Sequence, residues 1–219
     1  MQVREISCLF LADGALNRMR GACALLLCTA AILGQSGLFA ANAKFNKVLQ
    51  IGQAAPEWEG LKGVDGGAHS LKDYAKAPAV VCIFTCNHCP VAKAYEERLA
   101  EIVTTHKQQG VQFVLISVSH SAVDSLDKLK RRAEQRTVSI PVLQDLTQAV
   151  GKAYGATATP QVFVLDGERK IAYMGAIDDN LEVAKVTRHY LADAIDAVLA
   201  GKAPAIPETL PRGCAIDYE

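Results

Sequence analysis

The chain has no charge of one sign to spare. Among 219 residues, 23 Lys and Arg stand against 23 Asp and Glu, so the formal net charge is zero. That balance leaves no electrostatic footprint for nucleic acid. With half the residues hydrophobic, it also excludes a disordered chain. The several long apolar runs of a polytopic membrane protein are missing, as are internal repeats and low-complexity tracts. Seven cysteines are too few for a disulfide scaffold at this length, yet too many to be incidental.

What is present begins with a leader. No charged residue occurs from Gly21 to Ala43, and Gly21 to Leu33 is an apolar block preceded by Arg18 and Arg20. It runs into Ala41-Asn42-Ala43, a small-x-small pattern of the kind signal peptidase accepts. The block is short for a membrane span and of the right length for a signal-peptide core. Glu5 and Asp13 are unusual ahead of such a core, and a start at Met19 gives a compact leader. Leu27 before Cys28 does not suit a lipoprotein. The expected organisation is a leader over 1–43, one domain over 44–203 and a tail over 204–219. The mature chain is expected in the periplasm or secreted, with no stable membrane span after cleavage; an uncleaved leader would tether it to the membrane. Cleavage leaves Cys82, Cys86, Cys89 and Cys214 in an oxidising compartment, where spacing matters more than number.

Along the mature chain, Val64 to Ser70 carries an Asp-Gly turn signal and predicts a small hairpin. Ala79 to Phe84 is a continuous apolar run, as expected of a strand buried on both faces. Pro90 suits the first turn of a helix that keeps apolar spacing up to Gly110. Val111 to Val118 reads as a second buried strand and Val123 to Arg136 as a charged amphipathic helix. Ile140 to Leu143 is a short strand, and Asp145 to Tyr154 a helix closed by Gly155. Gln161–Leu165 and Lys170–Met174 flank a turn and predict an antiparallel hairpin. A last helix is expected over Leu181 to Ala200. Strands alternating with helices, ending in a hairpin, imply an α/β fold with a mixed central sheet covered on both faces.

Chemistry concentrates at Cys86-Asn87-His88-Cys89. Two cysteines separated by two residues can close a small disulfide ring, here between a buried strand and a helix start. The first thiol is expected to face unpaired N–H groups and the positive end of the helix dipole, which favour thiolate. Lowering a Cys pKa from about 8.5 to about 7 takes roughly 2 kcal/mol, and a helix end ordinarily supplies about 0.3–1 kcal/mol. His88, when protonated, is placed to add to it, and Lys93 lies one turn along. Cys86, at the strand end, is the expected attacking thiol; Cys89, within the first helical turn, the buried one that resolves the mixed disulfide. A zinc site would need a second ligand pair, and Cys82 and Cys214 do not form one, so neither metal nor cofactor is expected.

Gly52-Gln53-Ala54-Ala55-Pro56, Leu71-Lys72-Asp73-Tyr74, Phe84 to Pro90 and Thr159-Pro160-Gln161-Val162-Phe163 together resemble the thioredoxin-like superfamily, from about Val48 to Ala200. The likeness is to its redoxin branch, related to peroxiredoxins and extracytoplasmic thiol–disulfide oxidoreductases. Within it the chain looks like a peroxiredoxin-like subfamily with a Cys-Asn-His-Cys-Pro site, whose C-terminal end the Gly213-Cys214-Ala215-Ile216 tail also resembles. The resemblance implies a three-layer fold with helices on both faces of the sheet. It implies a cis Pro160 opposite the disulfide and Thr159 as the residue that contacts the partner chain. The implied substrates are protein thiols and disulfides, with a separate redox partner. Thr85 stands where thioredoxins carry Trp before the first cysteine. It also lies one residue before Cys86, which does not rebuild the peroxiredoxin spacing.

Three functions stay open at this point: a thiol–disulfide oxidoreductase, a thiol peroxidase in which Cys86 becomes a sulfenic acid, and a copper-binding module using thiolates and His88. A His before the second cysteine resembles isomerases and oxidases, at about −180 and −120 mV, more than reductases near −270 mV. Cys214 is either a free tail thiol or a third redox cysteine docking near Cys86. Cys82 reads as an inert buried thiol, His106 as a satisfied interface histidine, and Trp58 as core. His120 reads as a loop residue close to the site's sheet edge. Asp178-Asp179 and the Lys128–Arg136 cluster read as solvated.

Overall fold

In the computed structural model the described residues are 43–219; the leader, apart from its last position, lies outside them. Among the described residues, no helix is long and apolar enough to cross a membrane.

The sheet is built outward from β3 (Val80–Phe84), whose five apolar residues are all buried. Because successive side chains of a strand point to opposite faces, β3 feeds two cores. Val81 and Ile83 pack with Leu99, Val103, Leu129, Leu191 and Ile195 on one face. Val80, Cys82 and Phe84 pack with Trp58, Leu71, Val150 and Tyr154 on the other. β4 (Gln112–Ser117) lies parallel to β3, and β5 (Val142–Gln144) parallel to β4. β7 (Gln161–Leu165) runs antiparallel to β3 and β8 (Ile171–Gly175) antiparallel to β7. At the far edge β1 (Leu61–Gly63) and β2 (Ala68–His69) form the expected hairpin, giving the order β2-β1-β5-β4-β3-β7-β8. α2 (Glu96–Lys107), α3 (Leu126–Glu134) and α5 (Tyr190–Leu199) cover the first face, and α4 (Ala149–Tyr154) the second. This is the mixed-sheet α/β fold the sequence predicts.

Several features differ from expectation. The helix after Cys89 is split into α1 (Pro90–Ala94) and α2. At the junction the Tyr95 N–H is shared between the Val91 and Ala92 carbonyls, and the Tyr95 hydroxyl donates to buried Asp178 at 2.8 Å. The amphipathic helix starts at Leu126, behind a 3₁₀ turn over Ala122–Asp124 that leaves Asp124 wholly buried. The last helix begins at Tyr190. The preceding segment is held instead by Asp179 accepting the Thr187 N–H, and by Arg98 donating to the Asn180 and Leu181 carbonyls. Asp178, expected in a solvated turn, is buried and accepts from Arg98 and Tyr95. The basic cluster is only partly solvated, because Arg132 and Arg136 both close on Glu96.

The tail folds back along the domain. Thr209 accepts the Ala176 N–H and lies 2.7 Å from the Tyr173 hydroxyl. Farther on, β9 (Cys214–Ala215) pairs antiparallel with β6 (Ala158–Thr159), a second small sheet beside the end of β3.

Candidate active site

Parallel neighbours end on the same side of a sheet, so the loops after β3 and β4 meet. The first carries Cys86, Asn87, His88 and Cys89. The second carries Ser119 and Asp124. The Asp124 carboxylate accepts the Asn87 N–H, the Ser119 hydroxyl at 2.7 Å and His88 Nδ1 at 2.5 Å. A carboxylate 0% exposed is costly unless its lone pairs are engaged, and here three donors engage them. With Nδ1 facing Asp124, the other ring nitrogen of His88 faces Cys86: Nε2 lies 3.6 Å from Cys86 Sγ. This is the tautomer in which Nε2 is free to accept a proton, and Asp124 fixes both tautomer and ring orientation.

Cys86 also lies 3.4 Å from the Thr159 hydroxyl. Burial raises the Cys86 thiol above its ordinary value; the Thr159 hydrogen bond opposes that and the nearby Asp124 charge adds to it. The expectation that helix N–H groups hold Cys86 as thiolate is therefore corrected. It is Cys89 that caps α1, its sulfur accepting the Ala92 N–H at 3.3 Å. Burial opposes ionisation of Cys89 too, but its hydrogen bonding with Cys214, with Thr159 and with the Ala92 N–H outweighs it and holds this thiol below its ordinary value; as a thiol it donates to the Thr159 carbonyl at 2.9 Å. Lys93 is exposed on the helix. As expected, Cys86 is the more accessible of the pair, and Cys89 is 0% exposed.

A cavity of about 380 Å³ opens over Cys86, lined by His88, Thr159, His120, Ile216 and Glu219 among others. The Thr159–Pro160 peptide is cis, as the resemblance implied. The main chain of Thr159, though, is already paired with Cys214. Cys214 docks on Cys89, its sulfur 2.8 Å from Cys89 Sγ. Its thiol is raised, first by its hydrogen bond to Cys89 and then by burial. Cys82 is fully buried and burial pushes it up to about 12, so it is inert at neutral pH. His106 is satisfied between the Ile102 carbonyl and Asp196, and Trp58 is core. His120 is more than a bystander: it lies 2.9 Å from Glu219 and lines the cavity.

Asp124 and Ser119 were missed as site residues. The available signal was topological, since each follows the strand next to the one that carries Cys86. Cys86, His88 and Asp124 offer donor atoms within 4.8 Å of one another. With both Asp124 oxygens engaged, a soft ion would be left Cys86 Sγ and His88 Nε2 as ligands.

Fold and site together define a thioredoxin-like α/β protein with a cysteine pair at the end of its central strand. Residues 51–174, more than half the chain, match the AhpC/TSA family, and the chain belongs to that family. A thiol-disulfide oxidoreductase, ResA of Geobacillus thermodenitrificans, is 24% identical over 121 residues, which cover 55% of this chain and 66% of that protein. Two solved structures are more similar in sequence. A hypothetical protein from Sinorhizobium meliloti is 30% identical with a TM-score of 0.73, covering 80% of this chain and 97% of that one. An uncharacterized conserved protein from Geobacillus kaustophilus is 32% identical with a TM-score of 0.72, covering 80% and 95%. A thiol:disulfide interchange protein from Chlorobium tepidum, 20% identical with a TM-score of 0.53 and covering 67% and 96%, shares the fold.

Proposed function

We propose that this protein is an extracytoplasmic thiol–disulfide oxidoreductase acting on protein thiols and disulfides through Cys86 and Cys89. The observation that carries the reading is the line Asp124–His88–Cys86 beneath an open cavity, with Cys89 buried beside it. A thiol pushed up by burial needs a base. His88 Nε2 takes the Cys86 proton, and Asp124 stabilises the imidazolium that results. The Cys86 thiolate attacks a substrate disulfide; one substrate sulfur leaves and is protonated, and a Cys86–substrate disulfide forms. Cys89, the most acidic thiol of the cluster, then attacks Cys86 Sγ, closing Cys86–Cys89 and releasing the second substrate thiol. Run backwards, the same steps oxidise a substrate. Thr159 lines the cavity and its hydroxyl is the substrate contact closest to the reacting sulfur, whereas Pro160, also expected at the substrate, is buried and does not line it.

The test is turnover of a protein disulfide by the full chain and its Cys86→Ser variant. Loss of all turnover with an unchanged melting temperature is expected; retained turnover would remove the reading. Family membership favours one second reading, a thiol peroxidase in which Cys86 is oxidised to sulfenic acid and Cys89 condenses with it. Peroxide consumption by the reduced protein decides between them. A rate no faster than that of free cysteine is expected, and a much faster one would transfer the assignment.

A further inference from the structure

Cys214 takes part in none of the steps above, yet it lies where a redox thiol would be useful. Its sulfur is 2.8 Å from Cys89 Sγ, and a disulfide bond needs about 2.05 Å. A loose terminus would not hold it there. Its main chain pairs with Thr159. Beyond it, the Ile216 N–H donates to the Thr157 carbonyl at 3.0 Å and the Tyr218 hydroxyl to the Ala156 carbonyl at 2.8 Å. Gln148 Nε2 donates to the Asp217 carbonyl at 3.0 Å, and Lys152 Nζ to the Glu219 carbonyl at 2.6 Å. Gly213 sits so close to the Thr159–Pro160 main chain that a Cβ there would collide with the Thr159 carbonyl. The tail is thus a strap that carries one thiol to a fixed place. Of the three cysteines in the cluster, Cys214 is also the one that is not buried.

We propose that Cys89 and Cys214 form a second disulfide, reached by exchange from the Cys86–Cys89 disulfide, which makes Cys214 a third redox residue. The proposal rests on the oxidoreductase reading. In the exchange the Cys214 thiol gives its proton to solvent and its sulfur attacks Cys89 Sγ. The Cys89–Cys214 bond forms, the Cys86–Cys89 bond breaks, and Cys86 leaves as a thiolate that His88 reprotonates. One disulfide and one thiol exist before and after, so no outside oxidant is needed. The exchange moves the oxidised pair from the cavity floor to the strap. It frees Cys86 beneath its base and presents the disulfide, at its Cys214 end, to a reducing dithiol protein approaching from outside.

The experiment oxidises the full reduced chain with one equivalent of dithiodipyridine, alkylates free thiols, digests with trypsin without reduction and maps the peptides. In the wild type, the peptide Ala77–Lys93 should appear joined to Gly213–Glu219, with fragmentation placing the link on Cys89. The link should persist in Cys86→Ser and vanish in Cys89→Ser. It should also be lost in Gly213→Val, which keeps every thiol but lifts the strap off Thr159. Alkylated Cys214 in both wild type and Cys86→Ser would overturn the pairing. A link in Cys86→Ser but none in the wild type would overturn the exchange. Failure of Cys214→Ser to form Cys86–Cys89 would instead count against the oxidoreductase reading itself.

Discussion

Asp124 and Asp178 are both buried carboxylates, and each gathers three donors, yet their partners give them different work. Asp178 accepts from Tyr95, from the Asn180 N–H and from Arg98, whose guanidinium only donates hydrogen bonds. That pair is a permanent clamp joining the start of α2 to the loop before α5. Asp124 accepts from a hydroxyl, an amide and His88, the one partner whose other ring nitrogen can take a proton from a neighbour. Placed beside a thiol, a buried acid of this second kind governs a proton. What a buried carboxylate does is decided by whether its partner can pass a proton on.

The comparison breaks most visibly at Asp178. Removing it strands a largely buried arginine, and loss of one member of a buried pair costs about 3–5 kcal/mol. Asp178→Ala should therefore lose much of its stability in denaturant titration while turnover per folded molecule holds. His88→Ala should do the opposite: turnover falls by roughly 100-fold or more, the typical share of a general base, with the denaturation midpoint little moved. Asp124→Asn sharpens the contrast. It keeps the shape but puts an amide against Nδ1, and turnover should drop by about 10–100-fold, the usual effect of removing a group that orients a functional histidine. Equal losses of turnover in Asp124→Asn and Asp178→Ala would abolish the distinction.

Smaller effects follow from groups buried in neutral form. Burial raises Cys82 from 9.0 and Tyr95 from 10.0, both to about 12. Above pH ~9 the unfolded chain gives up these protons while the folded chain keeps them, so unfolding is favoured as pH rises. Their contribution to stability is complete below pH ~9 and is lost progressively up to about 12, which thermal melts across that range would record. The smallest effect belongs to an exposed pair. His120 is raised first by its hydrogen bond to Glu219 and then by the Leu146 carbonyl. Glu219→Gln should bring its NMR titration back toward the ordinary histidine value without touching the melting temperature.

Much of this was legible in the sequence, because periodicity and punctuation are local. The apolar run at 79–84 fixes a strand buried on both faces, and the Asp166–Arg169 turn fixes the late hairpin. Cys86 and Cys89 declared themselves by spacing. What was not legible depends on contacts between distant segments. Asp124 reads as part of an amphipathic helix until β4 is known to lie parallel to β3. Leu181–His189 has helical composition, but Arg98 and Asp179 capture its main-chain groups. For Cys214 the sequence leaves a free tail thiol and a docked third redox cysteine both open, because nothing local announces that Gly213 abuts Thr159. Which of the two sulfurs caps the helix is equally non-local: the spacing alone does not place Cys89 rather than Cys86 on the Ala92 N–H.

The pairing of β6 with β9 has a consequence for the order in which the molecule is made. Cys86 and Cys89 are near neighbours in the chain, and their ring can close as soon as both have been synthesised, whereas Cys89 and Cys214 are 125 residues apart. Bringing the latter pair together in an unstructured chain carries the entropy of a long loop, and in the folded protein it waits on β6, which is itself set beside the finished sheet. The first bridge therefore says nothing about whether the protein has folded. The proposed second bridge can form efficiently only after the whole domain is in place, so its appearance would serve as a clock for completed folding.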